Sequence, residues 1–421
     1  MKNLNLIGID VSEASIKVLQ LGKNNSTVAY ESAALPAGVV QRGNVLDGEA
    51  FSKALNDVLS KINPQLLDNK DSVFHAVLCM PESKLFSHHC VVPADVKKAD
   101  FETYVRGEAE KIIPLKFENI YWNYHVAEEN GVNNATFVGV KKSDLDAYVK
   151  AFKSANVEPT FIGGELFALG RSLLPNPPFQ DDYIILDIGA YSTTIGIFSV
   201  DAVPNMSILV QRGGNSFTRH VSESLGVSVE EAERLKREYG VDSAHEDTKV
   251  PGALRDNMSL LIDKVIEAKN YFENKSGNPI KHIIVAGGSA LMPKICDFIA
   301  SRTGVETLVA NPVQKIKEHD LLDKSIHGIF LANVIGLALP ENYEKFSHLN
   351  LFTQYQHDPK NIIDQHPASR QIRSFSDFRD VLYILWKKNL AILLPKIKLI
   401  LTATLLIVAV SFLLWVLVSY L

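Results

Sequence analysis

The sequence predicts an α/β protein with two similar lobes, a small inserted subdomain, a linker and one C-terminal transmembrane helix. Three observations predict this. A hairpin-like segment occurs twice, as LIGIDVSEASIKVLQL (Leu6 to Leu21) and YIILDIGAYSTTIGIFSV (Tyr183 to Val200). Strand and helix patterns alternate across residues 1–340, the signature of a layered α/β region. Leu399 to Leu421 runs for 23 residues without a charge, glycine or proline. At helical rise that stretch spans roughly 34 Å, enough to cross a bilayer.

Composition narrows the choices. The 421 residues are 46% apolar, which allows two to three domains with real cores. A net charge of −5 argues against a general nucleic-acid binder. Three cysteines without a CxxC pair fit a reducing compartment better than a disulfide framework or zinc ribbon. His88-His89-Cys90 has metal-like composition, but Phe86 and Val91-Val92 around it read as an ordinary strand. The N-terminus lacks the basic start and long apolar core of a signal peptide, so the fold begins directly.

The elements follow in order. After the first hairpin come a helix from Gly48 to Lys61 and a strand from Phe74 to Met80, closed by Pro81. Residues 85–157 have a different texture and predict an inserted subdomain of two strands and two helices. These are a helix over Ala99 to Ile113 stopped by Pro114, strands over Ile120 to Val126 and Ala135 to Val140, and a helix over Ser143 to Ala155. The second hairpin opens a second lobe, about 180–325. It continues with the helix Ser228 to Tyr239, an amphipathic helix through Leu261, Val265, Ala268 and Phe272, and the buried strand His282 to Gly288. A last apolar helix, Ile326 to Leu339, stops at Pro340. Residues 341–380 are polar without helical period and read as a tether, with one apolar island at 348–354. Residues 381–398 form a basic juxtamembrane segment. Lys387, Lys388, Lys396 and Lys398 precede the 399–421 span, which by the positive-inside rule leaves the N-terminal region cytoplasmic.

A buried strand ending in an acid and a turn has a chemical use. The turn's amides and hydroxyls can cradle phosphate oxygens, while the carboxylate holds a hydrated divalent cation against them. In the second copy, Asp187 is followed by Gly189, Tyr191, Ser192 and Thr193, a turn open enough for backbone to approach phosphate. In the first copy, Asp10 is followed by Ser12 and Glu13; Ser15 aligns with Ser192, and Lys17 offers a cation. Ser12 narrows that turn, and a carboxylate at Glu13 repels phosphate unless it points away. The first copy is therefore the weaker clamp. Gly213, Gly214 and Asn215 follow the second hairpin, and Gly287, Gly288 and Ser289 close a strand ahead of a helix, where bare backbone can receive a ribose or base. Glu233 and Lys236 share one helix face, either as a solvated pair or as nucleoside contacts. Glu165 begins a helix, as a dipole-stabilising acid or as a residue that positions water near a terminal phosphate. The expected ligands are ATP or ADP with Mg²⁺, held through water by Asp10 and Asp187.

These motifs, in this order, resemble the actin and sugar-kinase superfamily. Residues 1–340 resemble the PilM family of type IV pilus assembly more narrowly. The likeness is sharpest at Val105 to Val126, Val138 to Leu173, LDIGAYSTTIGIF and RGGNSFTRHV. It implies an actin-like ATPase fold of two ribonuclease-H-like lobes with an inserted 1C-type subdomain, which in polymer-forming relatives contacts neighbouring subunits. Homo-oligomers are therefore an expectation. It also implies nucleotide contacts at Glu233 and Lys236. Two departures stand out. The first turn reads Asp-Val-Ser-Glu where the family usually has Asp-Ile-Gly, and PilM-like proteins normally lack a span. The island containing Leu349, Asn350, Leu351 and Phe352 resembles the start of PilN, the inner-membrane partner whose peptide docks into PilM. The whole is similar in organisation to GspL of type II secretion. The expected role is a single-pass scaffold of the bacterial inner membrane, with its C-terminus periplasmic. It would bind nucleotide as a conformational ligand, with weak turnover or none, and engage a PilN-like protein or its own 348–354 segment, alongside other platform proteins. The alternatives are an active ATPase, a small-molecule kinase of the same superfamily, or an FtsA-like cell-division protein.

Overall fold

The computed structural model describes residues 6–63, 73–129, 131–317, 327–339, 349–358 and 360–361. The predicted span at 399–421, the basic segment 381–398 and most of the tether lie outside the described residues. No helix among the described residues is long and apolar enough to cross a membrane.

Two five-stranded sheets carry the lobes. The first contains β1 (Leu6–Val11), β2 (Ser15–Leu21), β3 (Thr27–Ala34), β6 (Phe74–Met80) and β10 (Val157–Gly164), in the order β10-β6-β1-β2-β3. A two-residue pair, β4 (Val40–Gln41) with β5 (Asn44–Val45), stands apart from it. The second contains β11 (Asp182–Ile188), β12 (Thr193–Phe198), β13 (Met206–Val210), β14 (Ile280–Ala286) and β15 (Glu306–Val309), in the order β13-β12-β11-β14-β15. The sheets share one plan. In each, the strand that ends in the aspartate is central, pairs antiparallel with the next strand and parallel with a later one. Continuous apolar runs such as Ile184-Ile185-Leu186 suit such strands because both faces are covered.

Helices cover the sheets through their apolar stripes. In the first lobe these are α1 (Gly48–Ile62), capped by Asp47, and α3 (Lys142–Lys153). In the second they are α5 (Gly214–Leu225), α6 (Val229–Tyr239), α7 (Val250–Ser276) and α8 (Ile295–Thr303). The inserted sheet is β7 (Leu85–Val92), β9 (Val132–Lys141) and β8 (Ile120–Glu129), with α2 (Phe101–Glu110) packing Val105 and Ala109 against Phe137 and Trp122.

The 85–157 stretch divides differently from the sequence expectation. It holds three strands, because the His88-His89-Cys90 run is part of β7. Its second helix, α3, buries Leu145, Tyr148, Val149 and Phe152 in the first-lobe core beside Phe51 and Leu55. The helix over Ala99–Ile113 is shorter, preceded by a 3-10 turn at Lys98–Asp100.

Two helices close the hinge region. α4 (Glu165–Leu173) follows β10 directly, and α9 (Ala332–Ala338) is the α-helical part of the predicted 326–339 helix, preceded by a 3-10 turn at Gly328–Leu331. They cross with no side chain between them. A Cβ on Gly336 would overlap the carbonyl of Ala168. The buried Arg171 donates from Nη1 to Gly336 O at 2.5 Å and from Nη2 to Leu339 O at 2.5 Å, capping the end of α9. α9 in turn lies on β1, where a Cβ on Gly8 would come within 2.7 Å of the Ala338 nitrogen.

The apolar island within the predicted tether packs into the fold. Residues Leu351–His357 form a helix, α10, and Leu349, Leu351, Phe352 and Tyr355 are buried. Leu351, Phe352 and Tyr355 join the first-lobe core with Phe51 and Phe152. Burying such side chains contributes about 1.5–3 kcal/mol each, ample to hold a short segment. The sequence marks this stretch as an apolar island; its helical form comes from the structure.

The helix crossing generates a stability prediction. Gly336→Val should lower stability by about 3 kcal/mol, because neither backbone can move aside. Gly107→Ala, in a helix with open space around that glycine, should raise it by roughly 0.5–1 kcal/mol. Denaturant unfolding of both variants checks the pair. Equal effects would mean that the crossing is not tight.

Candidate functional site: two aspartate turns

The two turns have the same backbone geometry. Ser12 N–H donates to Ser15 O at 2.9 Å, and Gly189 N–H donates to Ser192 O at 3.0 Å. Asp10 faces Lys17 across the first hairpin, and Asp187 faces Thr194 across the second. Each aspartate ends a central strand, so both carboxyls sit at the carboxyl edges of their sheets, the usual ligand side of an α/β layer.

Their electrostatics differ. Lys17 Nζ lies 3.0 Å from Asp10 Oδ2, and both side chains are largely buried. Burial alone would lower Lys17, but the Asp10 charge and hydrogen bond outweigh it and raise the ammonium above its ordinary value. Among the described residues, no donor or cation pairs with Asp187. Burial first, then the Asp10 charge, push Asp187 up to about 6. The first carboxylate therefore carries its counter-ion within the chain, and the second is an uncompensated acceptor. Gly287, at φ +79°, makes room for it, since a Cβ there would come within 2.7 Å of Asp187 Oδ1.

Glu13, expected to oppose phosphate, instead accepts the Arg42 N–H at 2.7 Å. Ser12 Oγ donates within its own turn to Ser15 O at 3.2 Å. The first turn is thus internally bonded, and its extra acid is held by another loop.

Several second-lobe residues have committed polar groups. Thr193 is fully buried and donates to Arg212 O at 2.7 Å, so its hydroxyl does not face the turn as the sequence suggested. The Gly214 and Asn215 amides donate to Gly189 O at 2.9 Å and Ala190 O at 2.8 Å, binding the start of α5 to the turn. Gly213 is needed for this approach, because a Cβ would lie 2.5 Å from Gly189 O. Tyr191 and Ala190 remain exposed at the tip, and Ser192 is half-buried.

Glu233 and Lys236 are not a solvated pair. Lys236 Nζ lies 2.6 Å from Glu233 Oε2, 2.8 Å from Thr218 Oγ1 and 3.2 Å from Gly214 O. Burial favours a higher value for Glu233, but hydrogen bonds from Lys236, Thr218 and Arg237 outweigh it and hold the carboxyl at about 2. This network joins α6 to the start of α5. Ser289 is buried beside it, its Oγ 3.0 Å from where a Gly214 Cβ would be. Gly288 lies under the half-exposed ring of Phe330.

Glu165 lies between the turns, beside an acid that sequence reasoning missed. Glu82 N–H donates to Glu165 Oε2 at 3.2 Å, and Leu166 N–H donates to Glu82 Oε1 at 3.1 Å. Ser207 Oγ, from the second lobe, donates to Glu82 Oε2 at 3.0 Å. Burial first, then Asp187, Asp10 and Glu82, push Glu165 well above the carboxylate range. Burial likewise raises Glu82. A signal for Glu82 existed: it follows Pro81 at the end of β6, the strand parallel to and beside β1. Arg171 had no comparable signal, because only the fold brings it to α9.

The apolar island sits between two sheet edges. β10 bulges at Thr160, where the register to β6 shifts between Pro159 and Phe161. Asn350 Nδ2 donates to Thr160 O at 2.9 Å, and its Oδ1 accepts the Ile162 N–H at 3.0 Å. On the other side, Asn123 Nδ2 donates to Asn350 O at 3.3 Å, and Trp122 N–H donates to Gln354 Oε1 at 2.9 Å. The segment therefore closes the exposed edges of β10 and β8, satisfying backbone groups that both sheets leave open. Leu349 enters a cluster with Phe161, Phe167, Val203 and Leu337.

The chain matches the sequence model of the family described as type IV pilus assembly protein PilM over residues 8–341. Its fold is similar to a solved PilM–PilN type IV pilus biogenesis complex, with TM-score 0.64 and 19% identity over 80% of this chain and 98% of that one. Shorter stretches are similar to cell division protein FtsA. The Bacillus subtilis (strain 168) protein is 30% identical over 115 residues, 27% of this chain and 26% of its own. The Neisseria meningitidis serogroup B protein is 28% identical over 152 residues, 31% and 36% respectively. The chain thus spans about a third or less of the FtsA proteins it matches. Two lobes of one plan around paired aspartate turns are thus a fold shared with that solved complex, and the chain belongs to the PilM family of type IV pilus assembly proteins.

Proposed function

We propose that this chain is a membrane-anchored scaffold of a type IV pilus or type II secretion-like inner-membrane platform. It binds ATP or ADP as a conformational ligand and keeps the partner peptide groove filled in cis by its own 349–354 segment. The observation that carries the nucleotide reading is Asp187: a half-buried carboxylate without a partner among the described residues, beside an open Gly189 turn and a glycine that clears its flank. Such a group suits a hydrated Mg²⁺, which would neutralise it. Asp10 is the second oxygen ligand through water, although Lys17 already compensates it. Phosphate oxygens would lie against Gly189, Ser192, Ser12 and Ser15, and the nucleoside against Gly287 and Gly288 near Glu233 and Lys236.

Binding is favoured over turnover by Glu165. Burial, then Asp187, Asp10 and Glu82, raise that carboxyl well above its ordinary value, which weakens it as a base toward water. An active ATPase or small-molecule kinase would need that group ionised. The PilM–PilN neighbour supports a PilN-like partner, and the docked Leu349, Asn350, Leu351 and Phe352 supply a peptide of the same kind from within the chain. The 399–421 stretch supports anchoring through its uncharged length, and the lysines before it support a cytoplasmic N-terminal region.

Two measurements test this reading. Calorimetric titration of the chain with ADP and Mg²⁺ should show one site, and Asp187→Ala should weaken it at least tenfold. Glu165→Gln should leave binding within about twofold, with phosphate release negligible in both proteins. Robust turnover that Glu165→Gln abolishes would replace the scaffold reading with an enzyme. For the anchor, deleting 399–421 should move the chain from the membrane to the soluble fraction; an unchanged distribution would refute anchoring by that segment.

A further inference from the structure

A cavity of about 230 Å³ lies where the first lobe, the inserted subdomain and the second lobe meet. None of its lining residues belongs to either aspartate turn. One end is walled by Leu85, Val138, Phe167 and the docked Leu349, with the bonded Glu82 carboxyl beside Leu85. At the other end stand His88 and His89 of β7 and Lys275 in the last turn of α7. From Leu85 to His89 is four residues of strand, about 13 Å, so the cavity is elongated with chemically distinct ends.

The charged groups assign an orientation. Lys275 has no ion pair or hydrogen bond among the described residues, whereas Lys269, on the same helix, is paired with Glu273. His88 also has no partner. Burial lowers it, so at neutral pH its imidazole offers one N–H. His89 is oriented by Thr136: that hydroxyl donates to Pro204 O at 3.1 Å and therefore receives His89 Nδ1–H at 3.3 Å. The carboxyl of Glu82 also lines the cavity, but it is bound by the Leu166 amide and the Ser207 hydroxyl. A second anion beside Glu82 would be repelled, and one at Lys275 would be attracted.

We propose that this cavity binds a small amphiphilic acid. Its carboxylate pairs with Lys275, and its alkyl chain lies along Val138 and Phe167 toward Leu349. A neutral molecule of the same shape would leave the cation uncompensated, and an amine would face it. Because the chain end touches Leu349, occupancy also holds the docked segment in place.

Octanoate, octan-1-ol and octylamine serve as probes, titrated calorimetrically into the full chain. Lys275→Glu and Ser87→Trp are measured in parallel, which also subtracts partitioning into any solubilising amphiphile. Lys275 and Ser87 are both exposed, so the variants should fold, as melting curves will show. Octanoate should bind at least tenfold more tightly than octan-1-ol, with octylamine weakest. Lys275→Glu should remove the preference for the acid, and Ser87→Trp, which fills the cavity, should remove binding of all three. Octanoate binding no tighter than octan-1-ol, unchanged affinity in Lys275→Glu, or no saturable binding would each overturn the proposal.

Discussion

The crossing of α4 and α9 at Gly336 is the constraint on which the rest of this structure depends. The two helices meet backbone to backbone, with Arg171 capping one onto the other. Both lead directly to the chemistry. α4 begins at Glu165, between the aspartates, and α9 rests on Gly8, two residues before Asp10. A contact without side chains cannot adjust by changing rotamers, so motion of one helix must be transmitted to the other or break the contact. That is the mechanical requirement for two lobes to respond as one to a ligand held between them.

On this hinge the duplicated turns have diverged in charge and not in shape. The Ser12–Ser15 and Gly189–Ser192 hydrogen bonds match to within 0.1 Å, yet Asp10 is neutralised by Lys17 and Asp187 is left open. An internal ammonium does for the first turn part of what a divalent cation does for both turns of a symmetric clamp. Such a clamp needs less metal charge to hold a ligand, and it stabilises the empty form as well. Both effects reduce the difference between bound and free states in the first lobe. In the proposed nucleotide clamp, ligand response would then concentrate at Asp187 and at the Glu82–Glu165 pair, which Ser207 ties to the second lobe.

Much of the fold was legible because its signals are local. Asp10 and Asp187 stand at strand ends marked by apolar runs, and Pro81 and Pro114 punctuate their elements as expected. Contacts made only through space were not legible. Glu13 reads as a phosphate-repelling acid until Arg42 is seen to hold it. Thr193 reads as a turn hydroxyl until the strand register buries it against Arg212. The α3 helix reads as part of the insertion, yet Phe152 meets Phe51 across the first lobe. The island at 349–355 was legible as apolar, but not its polar contacts: Asn350 and Gln354 complete two sheet edges. The juxtamembrane and span signals rest on composition alone and concern residues outside the described fold.

In the proposed function the two turns are halves of one clamp, linked through α4 and α9 to the docked segment, whose Leu349 packs with Phe167 and Leu337. Hydrogen–deuterium exchange of the full chain, with and without ADP and Mg²⁺, tests it most directly. A single nucleotide should slow exchange at residues 10–17 and 187–194 together, and at 349–355 in the same titration. Protection confined to the second turn, with the first turn and the docked segment unchanged, would contradict it.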